Sequence, residues 1–128
     1  MFAELCCTSN FTFLTGASHP EEYVMRAHAL GYSGIGVTDE ASVSGAVRAH
    51  LASQTLGIPL VHGSRFRVDE QLELTLLAPN RVAWGELGQL ISLARRRSSK
   101  GTYQLTRRDF IGHTETLLCL WHPNPQAL

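Results

Sequence analysis

Short apolar runs alternate along this chain with segments whose apolar residues recur every three or four positions. The first rhythm marks buried strands and the second amphipathic helices. Ala3 to Cys7 is the first such run, and it ends in the turn-forming cluster Thr8-Ser9-Asn10. Phe11, Phe13 and Leu14 lie near a bend closed by Gly16. Ser18-His19-Pro20-Glu21 reads as a helix start, with Ser18 as N-cap, Glu21 as the other half of a capping box and Pro20 in the first turn. This helix would bury Tyr23, Val24, Ala27 and Leu30 and stop at Gly31. Ser33 to Thr38 reads as the second strand. Ser42 is the expected N-cap of a helix that buries Val43, Ala46, Val47 and Leu51 and ends at Gly57. Ile58 to His62 reads as the third strand. Strand, helix, strand at this spacing predicts a right-handed βαβ unit with parallel strands.

After Arg65 the rhythm changes. Phe66 to Val68 and Leu72 to Leu77 flank Asp69-Glu70-Gln71, which predicts a hairpin with a short turn. Asn80 caps a long helix running to about Arg96, with Val82, Leu87, Leu90, Ile91 and Ala94 on its apolar face. Arg95 to Gly101 is basic and loop-like. Thr106 and Asp109 suggest a second capping box and a short helix, and Thr116 to Trp121 a last strand. The segment His122-Pro123-Asn124-Pro125 resists further regular structure. The pattern is α/β, in one domain.

Composition adds bounds. The chain has 128 residues, 44% of them hydrophobic and 17% charged, which describes a folded globular domain with a real core. Formal net charge is zero, so bulk charge argues neither for nor against nucleic acid. No apolar run approaches the ~20 residues of a membrane span. Met1 to Leu5 lacks the basic start and apolar core of a secretory signal. Three cysteines, two of them adjacent, do not make a disulfide framework, and the expected location is the cytoplasm.

Candidate chemistry collects at strand ends, where parallel α/β architectures build their sites. Asp39 and Glu40 follow the second strand and could bind a divalent cation or act as acid and base; the blander alternative is that they cap the helix that follows. Six histidines are scattered without zinc-like spacing. His62, at a strand end, is the one placed like a ligand, while His28 and His50 fall on helices. Cys6, Cys7 and Cys119 read as small buried residues rather than reactive thiols. Arg95, Arg96, Arg97, Lys100, Arg107 and Arg108 form a basic cluster around Tyr103. It could touch phosphates, or simply complement a helix end. There is no Walker loop and no Gly-x-Gly-x-x-Gly after a strand.

Four stretches together carry a family resemblance: Glu4 to Glu22, with Ser9-Asn10-Phe11 and Gly16-Ala17-Ser18-His19-Pro20-Glu21-Glu22; Ala29-Leu30-Gly31-Tyr32 to Val37-Thr38-Asp39-Glu40 and Gly45 to His50; Gly57 to Phe66; and Leu74 to Asn80 with the helix beyond. They resemble the N-terminal PHP (polymerase and histidinol phosphatase) domain of bacterial DNA polymerase III alpha-type enzymes, in the error-prone DnaE branch of ImuC type. The resemblance implies a distorted (β/α) barrel of about seven strands. Residues 1–128 would be the N-terminal portion of one such domain, a partial barrel of parallel strands and crossover helices plus a hairpin, with the polymerase catalytic domains absent.

The resemblance also implies a metal pattern, and this sequence departs from it. The pattern asks for His-x-His after strand one, Asp-His after strand two and Gly-x-Glu after strand three. Those positions hold Cys6 and Thr8, Asp39 and Glu40, and Arg65, so Asp39 alone matches. The expectation is a catalytically silent scaffold and interaction domain with no cofactor and no bound zinc or manganese. Cys6 with Asp39 and His62 is the one residual zinc set. The parent would be a magnesium-dependent DNA polymerase acting in translesion synthesis, DNA repair and replication. The partners would be the rest of the polymerase chain, DNA through the parent, and mutasome or replisome proteins, with no membrane. The rival is a metal-dependent phosphoesterase or proofreading exonuclease. Two structural expectations follow. Arg65 replaces the lost metal in a bidentate pair with Asp39, and the open barrel edge makes the chain dimerise or aggregate.

Overall fold

The computed structural model describes residues 1–12, 16–69, 72–111 and 114–123. Phe13 and Leu14 of the bend, Glu70 and Gln71 of the turn, His113, and Asn124 with Pro125 lie outside the described residues. Among the described residues five strands form one curled, half-barrel sheet in sequential order. They are β1 (Ala3–Cys7), β2 (Gly34–Glu40), β3 (Leu60–Val68), β4 (Leu72–Ala78) and β5 (Leu118–His122). β1, β2 and β3 pair in parallel, and β4 runs antiparallel to both β3 and β5. Among the described residues three helices flank the sheet: α1 (Pro20–Ala29) and α2 (Ala46–Leu56), which cross over between parallel strands, and α3 (Arg81–Arg96), which follows β4, with a 3₁₀ turn at Arg107–Phe110. This is the expected α/β arrangement of crossover units plus a hairpin.

Glycine in the left-handed conformation stops both crossover helices: Gly31 has φ 74° and Gly57 φ 77°. α1 begins one residue later than expected. His19 is its N-cap, and the Glu22 carboxylate accepts from the His19 N–H at 2.8 Å. The N-cap of α2 is Gly45 rather than Ser42, because the chain turns between Ala41 and Gly45 first. Of the expected stripe, Val43 lies before the helix and packs at the edge of the core under α3. Ala49 is the buried residue of α2, while Val47 and Leu51 are 70% and 58% exposed. Leu30 and Val82 are also surface residues. On α3 the Asn80 side chain accepts from the Ala83 N–H at 2.9 Å, and Ala83, Leu87, Leu90 and Ala94 are buried.

Two apolar clusters hold the helices to the sheet. Val24, Ala27 and Ala49 pack on Cys7, Ile35 and Val37, and the α3 face packs on Phe66, Val68, Leu74 and Leu76. The expected third strand and the first hairpin arm are one continuous strand, β3. The stretch that joins them, Gly63-Ser64-Arg65, keeps pairing with β2 on one side and β4 on the other.

Candidate functional site

β2 runs through Asp39 and Glu40 instead of ending before them. Successive strand residues point to opposite faces, so these adjacent carboxylates cannot converge on one ion from their strand positions. Asp39 shares the face of Ile35 and Val37, toward the helices. It is 2% exposed and accepts from the Ser9 N–H at 2.6 Å, the Ser9 hydroxyl at 2.7 Å and the Thr12 hydroxyl at 2.8 Å. Gly45 makes room for it: a Cβ there would lie 3.1 Å from Asp39 Oδ2 and 2.9 Å from Pro20 Cγ. Asp39 therefore ties the loop after β1 to β2 through three neutral donors and packs against the start of α2.

Glu40 has a different partner. Its carboxylate accepts from the Tyr103 hydroxyl at 2.6 Å, and that oxygen in turn accepts from the Arg67 N–H at 2.9 Å. Burial, and then the bond to Glu40, push the Tyr103 hydroxyl up to about 12. Glu40 and Tyr103, with Arg67, Asp69 and Ser98, line an open cleft of about 840 Å³.

Arg65 does not pair with Asp39. The register places Ser64 opposite Asp39 and Arg65 opposite Glu40, one residue off, so Arg65 projects from the other face. There it meets Glu73 of β4, Nε to Oε1 at 3.4 Å. The cation at the end of β2 is Arg95 of α3. Its guanidinium donates to the Ala41 carbonyl at 3.2 Å, the Thr102 carbonyl at 3.1 Å and, more weakly, the Glu40 carbonyl at 3.4 Å. It also lies 5.3 Å from the centre of the Tyr103 ring.

The other ligand positions are equally unsuited to a metal. Cys6 is exposed and Cys7 buried; burial, and then the Glu4 carboxylate, push the Cys7 thiol up to about 12, so it stays protonated. Thr8 contributes its carbonyl to the Tyr23 hydroxyl. His62 faces α2 and α3, with its ring centre 6.1 Å from that of His50 and 5.0 Å from that of Trp84. Burial and then His50 lower its pKa. Among the described residues, no three His, Cys, Asp or Glu side chains are placed to hold an ion, and Cys6, Asp39 and His62 do not meet.

The basic cluster is divided. Arg95 turns inward. Arg97 makes a two-pronged pair with Asp109, one prong at 2.6 Å, which holds that carboxyl down at about 2. Arg107 lies 3.7 Å from Asp69, and Arg96 donates to the Ser92 carbonyl. Lys100 and Arg108 stay exposed. Sequence reasoning missed Ser9, Thr12, Gly45 and Tyr103. The hydroxyl-rich turn after β1 was a signal for the first two; Tyr103 meets Glu40 across 63 positions, which no local pattern discloses.

The PHP domain family matches residues 4–126. An error-prone DNA polymerase of Teredinibacter turnerae (strain ATCC 39867 / T7901) is 48% identical over 122 residues, 95% of this chain and 12% of that protein. One of Vibrio vulnificus (strain YJ016) is 46% identical over 128 residues, 98% of this chain and 12% of the relative. This chain thus spans about an eighth of these curated relatives. Among solved structures, a Bifidobacterium adolescentis protein provisionally named a metal-dependent phosphoesterase superposes with TM-score 0.60 at 23% identity, over 75% of this chain and 34% of that one. An amidohydrolase from Chromobacterium violaceum, with bound sulfate and no metal, gives TM-score 0.58 at 24% identity over the same shares. At these identities the structural likeness speaks for the fold alone.

Proposed function

The chain belongs to the PHP domain family, and on that premise we propose that it is the N-terminal, non-catalytic part of the PHP domain of an error-prone DNA polymerase. The observation that carries this reading is near-full-length identity of 46–48% to error-prone polymerases several times longer. The state of the ligand positions supports the non-catalytic part: Asp39 takes three neutral donors from the loop after β1, Glu40 is held by Tyr103, and Arg65 stands where the family pattern has a carboxylate. A phosphoesterase must polarise a phosphoryl oxygen and generate a nucleophilic water, normally through metal ions, and no cluster among the described residues supplies them.

In this reading the domain is a scaffold for the rest of the polymerase. The parent copies damaged DNA in the cytoplasm with magnesium at its own catalytic aspartates, together with mutasome or replisome proteins. Lys100, Arg108 and Arg96 are exposed and make no ion pair among the described residues, and they are the candidates for a phosphate contact; Arg97 and Arg107, though exposed, pair with Asp109 and Asp69, and Arg95 turns inward. No helix among the described residues is long and apolar enough to cross a membrane.

The test is a chimera in which this chain replaces the matching segment of the Vibrio vulnificus polymerase. Primer extension across a lesion should persist, and the chimera should hydrolyse no phosphate monoester or diester with zinc or manganese. Metal-stimulated hydrolysis by this chain would favour the phosphoesterase reading, and loss of extension with the domain still folded would remove the scaffold role.

A further inference from the structure

The family pattern implies a metal centre at these strand ends, and the residues present do not fit one. Each oxygen or sulfur that could have served is engaged elsewhere or turned away. Asp39 takes three neutral donors, Glu40 takes Tyr103, and Cys6 is exposed at the edge strand. The strand end nevertheless needs organising. The backbone turns sharply straight after β2: Ala41 has φ 45°, a left-handed conformation that a side chain disfavours, and it is 1% exposed. Its N–H donates to the Arg65 carbonyl at 2.8 Å, which ties the turn to β3. Its carbonyl is the one that Arg95 takes.

We propose that Arg95 is the internal cation of this domain, holding the end of β2 and the loop around Thr102 together and making the fold independent of a divalent metal. A guanidinium suits this place because its planar array of donors can reach several carbonyls at once while its face rests on an aromatic ring. Here three carbonyls from two chain segments share it, and Tyr103, the ring it stacks on, is the group that holds Glu40. One side chain from α3 therefore fixes both the backbone and the side chain of the strand end. The inference rests on the reading of the domain as non-catalytic and names the device that replaces its metal.

The experiment is urea unfolding of the 128-residue chain, followed by the fluorescence of its two tryptophans. The parent chain is measured with EDTA, with zinc and with manganese, alongside Arg95→Ala and Arg95→Lys. The expected results are an unfolding midpoint indifferent to chelator and to either metal, and a midpoint about 1 M lower in Arg95→Ala, as stranded carbonyls require. Arg95→Lys should recover only part, since one ammonium cannot span three carbonyls. If Arg95→Ala does not fold, the Arg95 Nε–H resonance of the unsubstituted chain serves instead: it should be resolved and exchange slowly with solvent. An unshifted Arg95→Ala midpoint, or a fast-exchanging Nε–H, overturns the clamp. A midpoint raised by zinc or manganese overturns metal independence. Phosphate-ester hydrolysis by the metal-loaded chain would instead sink the non-catalytic reading, so the two failures are separately visible.

Discussion

At the scale of single residues, the fate of Asp39 shows how a ligand position becomes a structural one. A buried carboxylate is stable only when its charge is met by donors. Ser9 and Thr12 supply these from a loop about thirty positions upstream. Asp39→Ala should destabilise the chain by about 3 kcal/mol, because it strands a buried N–H and two hydroxyls. Asp39→Asn should lose less, since the amide oxygen still accepts. Urea titration of the two variants checks the order, and an unaffected Asp39→Ala would mean the loop does not depend on this anchor. Tyr103 yields a pH prediction. Its hydroxyl is raised to about 12, among Glu40, Arg67 and Arg95. The folded state therefore favours the neutral phenol. Stability from this site is whole below the ordinary phenol value of about 10 and is lost as pH rises toward 12. Tyr103→Phe should flatten the stability profile across that alkaline window, as read from midpoints at pH 9 to 12; a profile unchanged in slope would contradict the burial of the hydroxyl.

Among the elements, α3 is the most strongly patterned and the one most nearly readable without coordinates. Its Asn80 cap, the buried Leu87, Leu90 and Ala94, and its end near Arg96 all match the sequence reading. α2 is weakly patterned, and the sequence misplaced both its start and its stripe. Only small Ala49 is buried on it, so the apolar spacing of Val47 and Leu51 carried no information about the core. α3 also contains Gly85 and Gly88, where an added Cβ would meet nothing within 4 Å. Glycine inside a helix is unfavourable relative to alanine through the freedom it has in the unfolded chain. Gly85→Ala and Gly88→Ala should each stabilise by about 0.5–1 kcal/mol. Thermal unfolding would show this as a higher midpoint; a lower one would mean that another surface packs against that helix face.

For the molecule as a whole, the open question is the edge. β4 covers one side of β5, and among the described residues no strand covers the other. Leu118 and Trp121 on β5 are each 56% exposed, and the strand carries no Asp, Glu, Lys or Arg to discourage pairing. At the far edge, the Cys6 N–H of β1 is partly occupied by the Glu4 carboxylate at 3.2 Å. β5 is thus the less protected edge, and unprotected edges recruit other strands. The chain on its own should self-associate, and Leu118→Lys with Trp121→Lys should shift it toward monomer in light scattering. A monodisperse, cooperatively melting parent chain would show that the edge is shielded.

The sequence by itself determined the α/β class, the order of strands and helices, the glycine stops at Gly31 and Gly57, the Asn80 cap and the family. These depend on local backbone preferences and on apolar spacing within one element, which neighbours in the chain encode. Only the tertiary structure decided which cation meets the end of β2. Arg65 was the natural candidate because it ends a neighbouring strand, but pairing register and the alternation of side chains put it on the other face, beside Glu73. Arg95 lies 54 positions from Ala41 and reaches it because α3 packs back across the sheet. The basic run around Arg95 looked like one surface for the same reason that Asp39 and Glu40 looked like one site. Adjacency in the chain does not fix direction in space; strand alternation and helix docking do.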